Sequence, residues 1–297
     1  MTRQPAWLLD FVRNTYSQTG EDGIIEKILL TLPTKDRWCV EFGAWDGIFL
    51  SNTRNLIENA GYSAVLIEGS KTKFSELQKN YSSKKNVITV NATVGFHEND
   101  SLDVILADLP VPCDLDFLSI DVDGNDYHIW KATSKYRPKT VCVEFNPTIP
   151  TEVSFVQRAD SSVNQGASLL SLVELGREKG YELVSVLPCN AFFVDSKYYP
   201  LFEIRDNRPE TLRKDLSAIT YLFSGYDGTI CLRGKKHLPW HGLPLRESAI
   251  QHLPKLLRKY PDDYSRVENL VFWIFVRLSS PRQLFSRIYQ LLARRST

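Results

Sequence analysis

Between residues 38 and 195, short runs of apolar and β-branched residues alternate with stretches of helical periodicity, and this alternation restricts the chain to few architectures. The runs are WCVEF (38–42), SAVLIEG (63–69), NVITVNATVG (86–95), DFLSIDVDG (116–124) and TVCVEF (140–145). Helical stretches follow them: SNTRNLIENAG (51–61), KTKFSELQKN (71–80), HENDSLDVILADL (97–109), NDYHIWKATS (125–134) and ASLLSLVELGREKG (167–180). Runs apolar at nearly every position suit parallel strands covered on both faces. YELVSVL and NAFFVD, separated by Pro188 and Cys189, read as a closing antiparallel hairpin. The expected fold is α/β, a doubly wound, seven-stranded Rossmann-like sheet over 37–195 with a mixed C-terminal extension.

Around that sheet the reading is coarser. Segment 1–36 contains a helix over 17–33, capped at Thr19 and ended by Pro33. Region 196–262 contains a helix over 209–218 and the strand pair SAITYLF and TICLRG, and is expected to share in acceptor binding. Beyond 249 the chain reads as helical, with a separate tail over 263–297.

Ligands of doubly wound sheets bind beyond the carboxyl ends of the strands. The first strand ends in Glu41-Phe42-Gly43-Ala44-Trp45-Asp46-Gly47, where Gly43 allows a sharp turn and Gly47 a close approach to a ligand. The spacing is not GxGxxG, which disfavours a nicotinamide oxidoreductase. Glu68 ends the second strand, where a carboxylate accepts hydrogen bonds from ribose hydroxyls, and Asn91-Ala92-Thr93 offers a polar edge for adenine. The fourth and fifth strands bring Asp121, Asp123, Asp126, Glu144 and Asn146 toward one place. Such a set suits three roles: orienting a cofactor amine, general-base catalysis, or holding a divalent cation (Mg or Mn) on Asp121, Asp123, Glu144 and Asn146. Crowded carboxylates require a proton, a metal or a cationic partner. Two histidines are candidate bases: His128 after the DGND turn, and His241 in the loop LPWHGLP.

Composition excludes some classes. The formal net charge of +1 provides no global field to recruit nucleic acid. Five cysteines without CxxC or Cys/His metal spacing read as small residues in a reducing compartment, and the N-terminus carries no signal-peptide pattern. The expected location is the cytoplasm.

Taken together and in order, YSQTGEDGIIEKIL, VEFGAWDG, VLIEG, DFLSIDVDGNDYHIW, VCVEFNPTIP and GASLLSLVELGREKGYELV with NAFFV resemble the FkbM-type methyltransferases, over roughly residues 16–195. The resemblance implies a Rossmann-like methyltransferase that uses S-adenosylmethionine to O-methylate a sugar hydroxyl of a glycan, glycolipid or glycosylated metabolite. It assigns Glu41 and Gly43 to the cofactor loop, Glu68 to the ribose-binding acid, and Asp121 to the fourth-strand acidic motif; Ala44, Gly47 and Asn91 complete the candidate cofactor-binding residues. Where the family often continues Asp-Val-Glu-Gly, this chain has Asp-Val-Asp-Gly-Asn-Asp, which leaves Asp123 and Asp126 without an inherited role. Asp121, Asp123, His128 and His241 are the candidate catalytic residues. A binding or scaffold protein with this fold is the alternative.

The tail lies outside the resemblance. VFWIFV is too short to span a bilayer, and Ser280-Pro281 reads as the start of a last helix with Leu284, Phe285, Ile288, Leu291 and Leu292 on one stripe. Six arginines against Asp263 and Glu268 give 263–297 a formal charge of +4. Two expectations stand for it: attachment to the inner face of an anionic membrane, or packing on its own domain or a second subunit in a homo-oligomer.

Overall fold

The computed structural model describes residues 4–33 and 35–279. The chain divides after Leu216 into two compact units.

The first unit is built on one seven-stranded sheet. Its strands are β1 (Trp38–Phe42), β2 (Ser63–Glu68), β3 (Val87–Asn91), β4 (Phe117–Ile120), β5 (Thr140–Glu144), β6 (Tyr181–Val186) and β7 (Asn190–Asp195). They lie in the order β3-β2-β1-β4-β5-β7-β6; β7 alone runs antiparallel to its neighbours and the rest of the main sheet is parallel. This is the doubly wound Rossmann-like arrangement expected from the alternation, closed by the expected hairpin. The central strands β1 and β4 are buried almost throughout, whereas the edge strand β3 is only half-buried. Burying side chains such as Phe42, Leu66 and Phe117 contributes about 1.5–3 kcal/mol each.

Helices α1 (Glu21–Thr31), α2 (Arg54–Asn59), α3 (Lys71–Tyr81), α4 (Leu102–Ile105), α5 (Asp126–Ala132), α6 (Leu169–Glu178) and α7 (Pro209–Leu212) complete the unit. Ser70 and Ser168 cap α3 and α6, each accepting a bond from a first-turn amide. Thr19 does not cap α1. Gly20 holds that position at φ 112°, and the Thr19 hydroxyl donates to Glu21 instead. The loop before α1 is tied by Asp22, whose Oδ2 accepts from the amides of Thr15, Tyr16 and Ser17.

Because the order reverses between β1 and β4, their carboxyl ends part and leave a crevice there. The opposite end of the sheet is closed by charge. Lys139 donates to Asp36 and, at 2.7 Å, to the fully buried Asp116, which also accepts the amides of Asp36 and Arg37. Burial alone would lower the Lys139 pKa, but the hydrogen bonds to Asp116 and Asp36 outweigh it and raise it.

Residues 196–216, read from the sequence as part of the accessory region, belong to the first unit. The helix expected over 209–218 stops at Leu212. Arg213 leaves it to donate to the carbonyls of Pro147 and Ile149 and to Thr151 Oγ1, pinning the loop after β5.

The second unit contains the antiparallel pair β8 (Thr220–Ser224) and β9 (Ile230–Gly234), the short pair β10 (His237–Leu238) and β11 (Leu243–Pro244), and α8 (Arg266–Ser279). Between Ile250 and Ser265 the only helical turns are two three-residue 3₁₀ turns, so the helix expected from 249 onward begins only at Arg266. Pro254 and Pro261 interrupt the stretch, removing backbone donors. No helix among the described residues is long and apolar enough to cross a membrane. The helix expected after Ser280 lies outside the described residues.

Candidate functional site

The crevice at the strand reversal opens into a cleft of about 660 Å³, within the usual range for small-molecule sites. Its walls come from the carboxyl ends of β1, β2 and β4 and the loops that follow β3 and β5, and all its lining residues belong to the first unit.

The loop after β1 is shaped by Gly43. At φ +71° it turns the chain so closely onto β4 that an added Cβ would lie 1.9 Å from the Asp121 carbonyl oxygen. The next residues dock on β2: Ala44 N–H donates to the Ile67 carbonyl, and Trp45 N–H to Glu68 Oε2 at 2.9 Å. Trp45 itself has φ +52°, so a bulky side chain is held in the left-handed region and projects half-exposed into the cleft.

Glu68 is buried at the end of β2 and lines the cleft. Its Oε1 accepts the Ser70 amide at 2.6 Å. Each carboxylate oxygen therefore has one backbone partner and further acceptor capacity. Glu41 also lines the cleft, but it is committed inward. Ser51 and Thr53 hydroxyls donate to Oε2 at 2.6 Å each, and Asn52 N–H donates to Oε1 at 2.8 Å. Burial raises its pKa against these bonds. Its work here is to hold the turn that begins α2 beside the cleft.

Two of the candidate cofactor-binding residues, Gly47 and Asn91, stand outside the cleft lining. Gly47 does not line the cleft; its φ is +72°, and an added Cβ would meet Leu77 Cδ1 and Tyr81 Cε2, both at 2.5 Å. It lets the loop pack on α3, where the Tyr81 hydroxyl donates to its carbonyl. Asn91 uses its amide to donate to the Glu68 carbonyl at 2.8 Å, tying β3 to β2, and leaves Ala92 and Thr93 to line the cleft.

On the β4 and β5 side, oxygens of Asp121, Asp123 and Glu144 lie within 4.8 Å of one another. At that spacing the carboxyls of Asp121 and Glu144 oppose each other's ionisation. Burial first, then the surrounding carboxylates, pushes both well above the usual range. Asp123 is exposed at φ +55° and shares the cleft wall with Asp121. Asp126 does not join this group as a free carboxylate: its oxygens accept the amides of Val122 and Gly124, both at 2.9 Å, and shape the turn that presents Asp121 and Asp123. Asn146 is also withdrawn from the metal set expected for it. Its Oδ1 accepts from the Thr148 amide and hydroxyl, and its Nδ2 donates to the Gln165 carbonyl.

The two histidines stand differently from the sequence expectation. His128 Nε2 donates to the Gln157 carbonyl at 2.8 Å, its ring sits 5.5 Å from Phe96, and it is not a lining residue. His241 is an exposed residue of the second unit. The imidazole that does line the cleft is His97, whose ring packs on Phe96.

Sequence reasoning missed the 157–166 loop, which supplies Ser161 and Asn164 to the cleft. Its organiser is the buried Gln157: Oε1 accepts the amides of Gln165 and Gly166, and Nε2 donates to Asn125 Oδ1 and the Val163 carbonyl. A single glutamine in a polar loop carries no periodic signal. Gln18, before α1, was missed for the same reason.

No protein-family model and no curated protein matches this chain. Solved structures of similar fold include the N-terminal domain of EvdMO1 with SAH bound, at 11% identity over 59% of this chain and 80% of that one, TM-score 0.38. A SAM dependent methyltransferase from Aquifex aeolicus is 11% identical over 64% of this chain and 97% of its own, TM-score 0.36. The glycopeptide N-methyltransferase MtfA complexed with sinefungin is 8% identical over 61% and 87%, TM-score 0.36. The fold assignment for this chain rests on its own strand order and directions.

Proposed function

We propose that this chain is an S-adenosylmethionine-dependent O-methyltransferase whose acceptor is a sugar hydroxyl. One observation carries the reading. At the strand reversal, a left-handed Gly43 loop, a buried Glu68 ending β2 and Asp121, which has Glu144 close beside it, frame a cleft.

These residues fit the cofactor. Glu68 retains acceptor capacity for ribose hydroxyls, and the carboxylates beside it complement a cationic sulfur. When bound, the cofactor supplies an electrophilic methyl on a sulfonium that leaves readily. The chain must then align a hydroxyl and take its proton. Asp121 is the residue assigned to take the proton, with Glu144 close beside it. Trp45 and Phe49, exposed aromatics of the cleft wall, support a sugar acceptor because the apolar face of a sugar ring packs on such rings.

The test is release of S-adenosylhomocysteine during incubation with the cofactor and a panel of glycans and glycolipids. The expected result is turnover with at least one acceptor, lowered about 10²–10⁴-fold in Asp121→Asn. Cofactor binding without turnover on any hydroxylated sugar would remove the acceptor assignment. Absence of cofactor binding would remove the whole reading in favour of a scaffold.

A further inference from the structure

The two units differ sharply in charge. The first, 1–216, has 23 Lys and Arg against 30 Asp and Glu; the second, 217–297, has 13 against 5. Formal charges of −7 and +8 are hidden in the chain's total of +1. A charge asymmetry of this size between parts of one chain points to an anionic partner for the basic part.

Among its described residues the same unit carries an exposed apolar face. None of the 14 residues of α8 is buried. Val267, Leu270, Val271, Ile274 and Leu278 recur at helical spacing and so form one stripe, and each is 40–76% exposed. Off the stripe, the half-buried Phe272 meets Tyr264 at 5.4 Å between ring centroids. Arg266, Trp273 and Arg277 flank the outward stripe. A helix with its aliphatic side turned out, bordered by tryptophan and arginine, has the composition of one that lies in a membrane interface. At about 1.5 Å per residue it is about 21 Å long, well short of the ~30 Å hydrocarbon core, so it would lie along the surface.

We propose that α8 docks the second unit onto the anionic surface of a lipid bilayer, with its aliphatic stripe in the acyl boundary and its arginines at the headgroups. Two other occupants fit less well. A second copy of this chain would oppose one +8 unit with another across a two-fold contact. A nucleic acid would satisfy the charge but leave five aliphatic side chains without apolar contact. The inference is independent of the methyl-transfer reading.

The test is co-sedimentation of the full chain with phosphatidylcholine vesicles, with and without phosphatidylglycerol. Two double variants accompany it: Val271→Glu with Ile274→Glu, and Arg266→Gln with Arg277→Gln. All four positions are exposed, and circular dichroism checks folding. The expected result is binding to the anionic vesicles only, reversed by salt and weakened in both variants. Each arginine near an anionic leaflet is worth about fivefold, so the arginine pair predicts a loss of about twenty-fivefold. Failure of the folded chain to bind anionic vesicles would overturn the proposal, as would binding that neither variant weakens. A lipid-free self-association, or an RNA affinity, that these variants abolish while vesicle binding persists would overturn it in favour of that partner.

Discussion

Replacing Gly43 with alanine tests how the cleft is built. An added Cβ there would lie 1.9 Å from the Asp121 carbonyl oxygen, where real Cβ atoms essentially never come within 3.0 Å. The obstacle is backbone, so no rotamer relieves it, and the ends of β1 and β4 must part by about 1 Å. The left-handed conformation costs an alanine about 1–2 kcal/mol, and overpacking about 1–3 kcal/mol more. Gly47→Ala is the matched control. It carries the same left-handed strain, at φ +72°, but its added Cβ meets the side chains of Leu77 and Tyr81 away from the cleft. Urea unfolding should show both variants destabilised, Gly43→Ala by roughly 2–5 kcal/mol. Calorimetric titration with S-adenosylhomocysteine should separate them. A shift of about 1.4 kcal/mol from the displaced Asp121 would weaken binding tenfold in Gly43→Ala, while Gly47→Ala stays within about threefold of the parent. Equal losses in both variants, or undiminished binding by a folded Gly43→Ala protein, would show that the Gly43 turn does not set the position of Asp121 in the cleft.

Three further outcomes follow from the buried charges. Lys139→Met leaves Asp116 buried without its cation and should cost about 3–5 kcal/mol in denaturant unfolding, with partial recovery when Asp116→Asn is added. Burial and the neighbouring Asp121 raise the Glu144 pKa, so the folded chain keeps a proton that the unfolded chain releases. Its contribution to stability therefore falls as pH rises from the ordinary carboxylate range toward the raised value, and Glu144→Gln should flatten unfolding free energy against pH across that window. Exhaustive chelation should leave S-adenosylhomocysteine affinity and turnover unchanged, because burial and the neighbouring Asp121 disfavour the charged Glu144 that a cation would need and Asn146 Oδ1 is taken by Thr148. Activity lost on chelation and restored by Mg would show that the three carboxylates hold a cation.

The sheet was legible because its strands are short, apolar and regularly interrupted, and because the hairpin signal at Pro188 and Cys189 stood apart from the rest. The ends of the strands were legible as places. Glu68, Gly43 and Asp121 line the cleft. What those side chains touch depends on residues distant in sequence. Gly47 needs its positive φ, as a glycine beside a turn often does, but the neighbours that require it are Leu77 and Tyr81. Glu41 was read toward a ligand, yet Ser51, Asn52 and Thr53 take its oxygens. Asp126 and Asn146 were counted as convergent oxygens, but each closes a local turn through backbone amides, as short polar side chains commonly do. The periodicity over 209–218 did not reveal that Arg213 would leave the helix for the loop at 147–151.

The central claim is that Gly43, Glu68 and Asp121 frame a site for S-adenosylmethionine. Isothermal titration of S-adenosylhomocysteine into the full chain, with Glu68→Ala in parallel, tests it most directly. Saturable one-to-one binding by the parent is expected, with a loss of at least about tenfold in Glu68→Ala, which loses the proposed charge-assisted bonds to the ribose. No binding by folded parent protein at millimolar ligand, or equal binding by parent and Glu68→Ala, would contradict it.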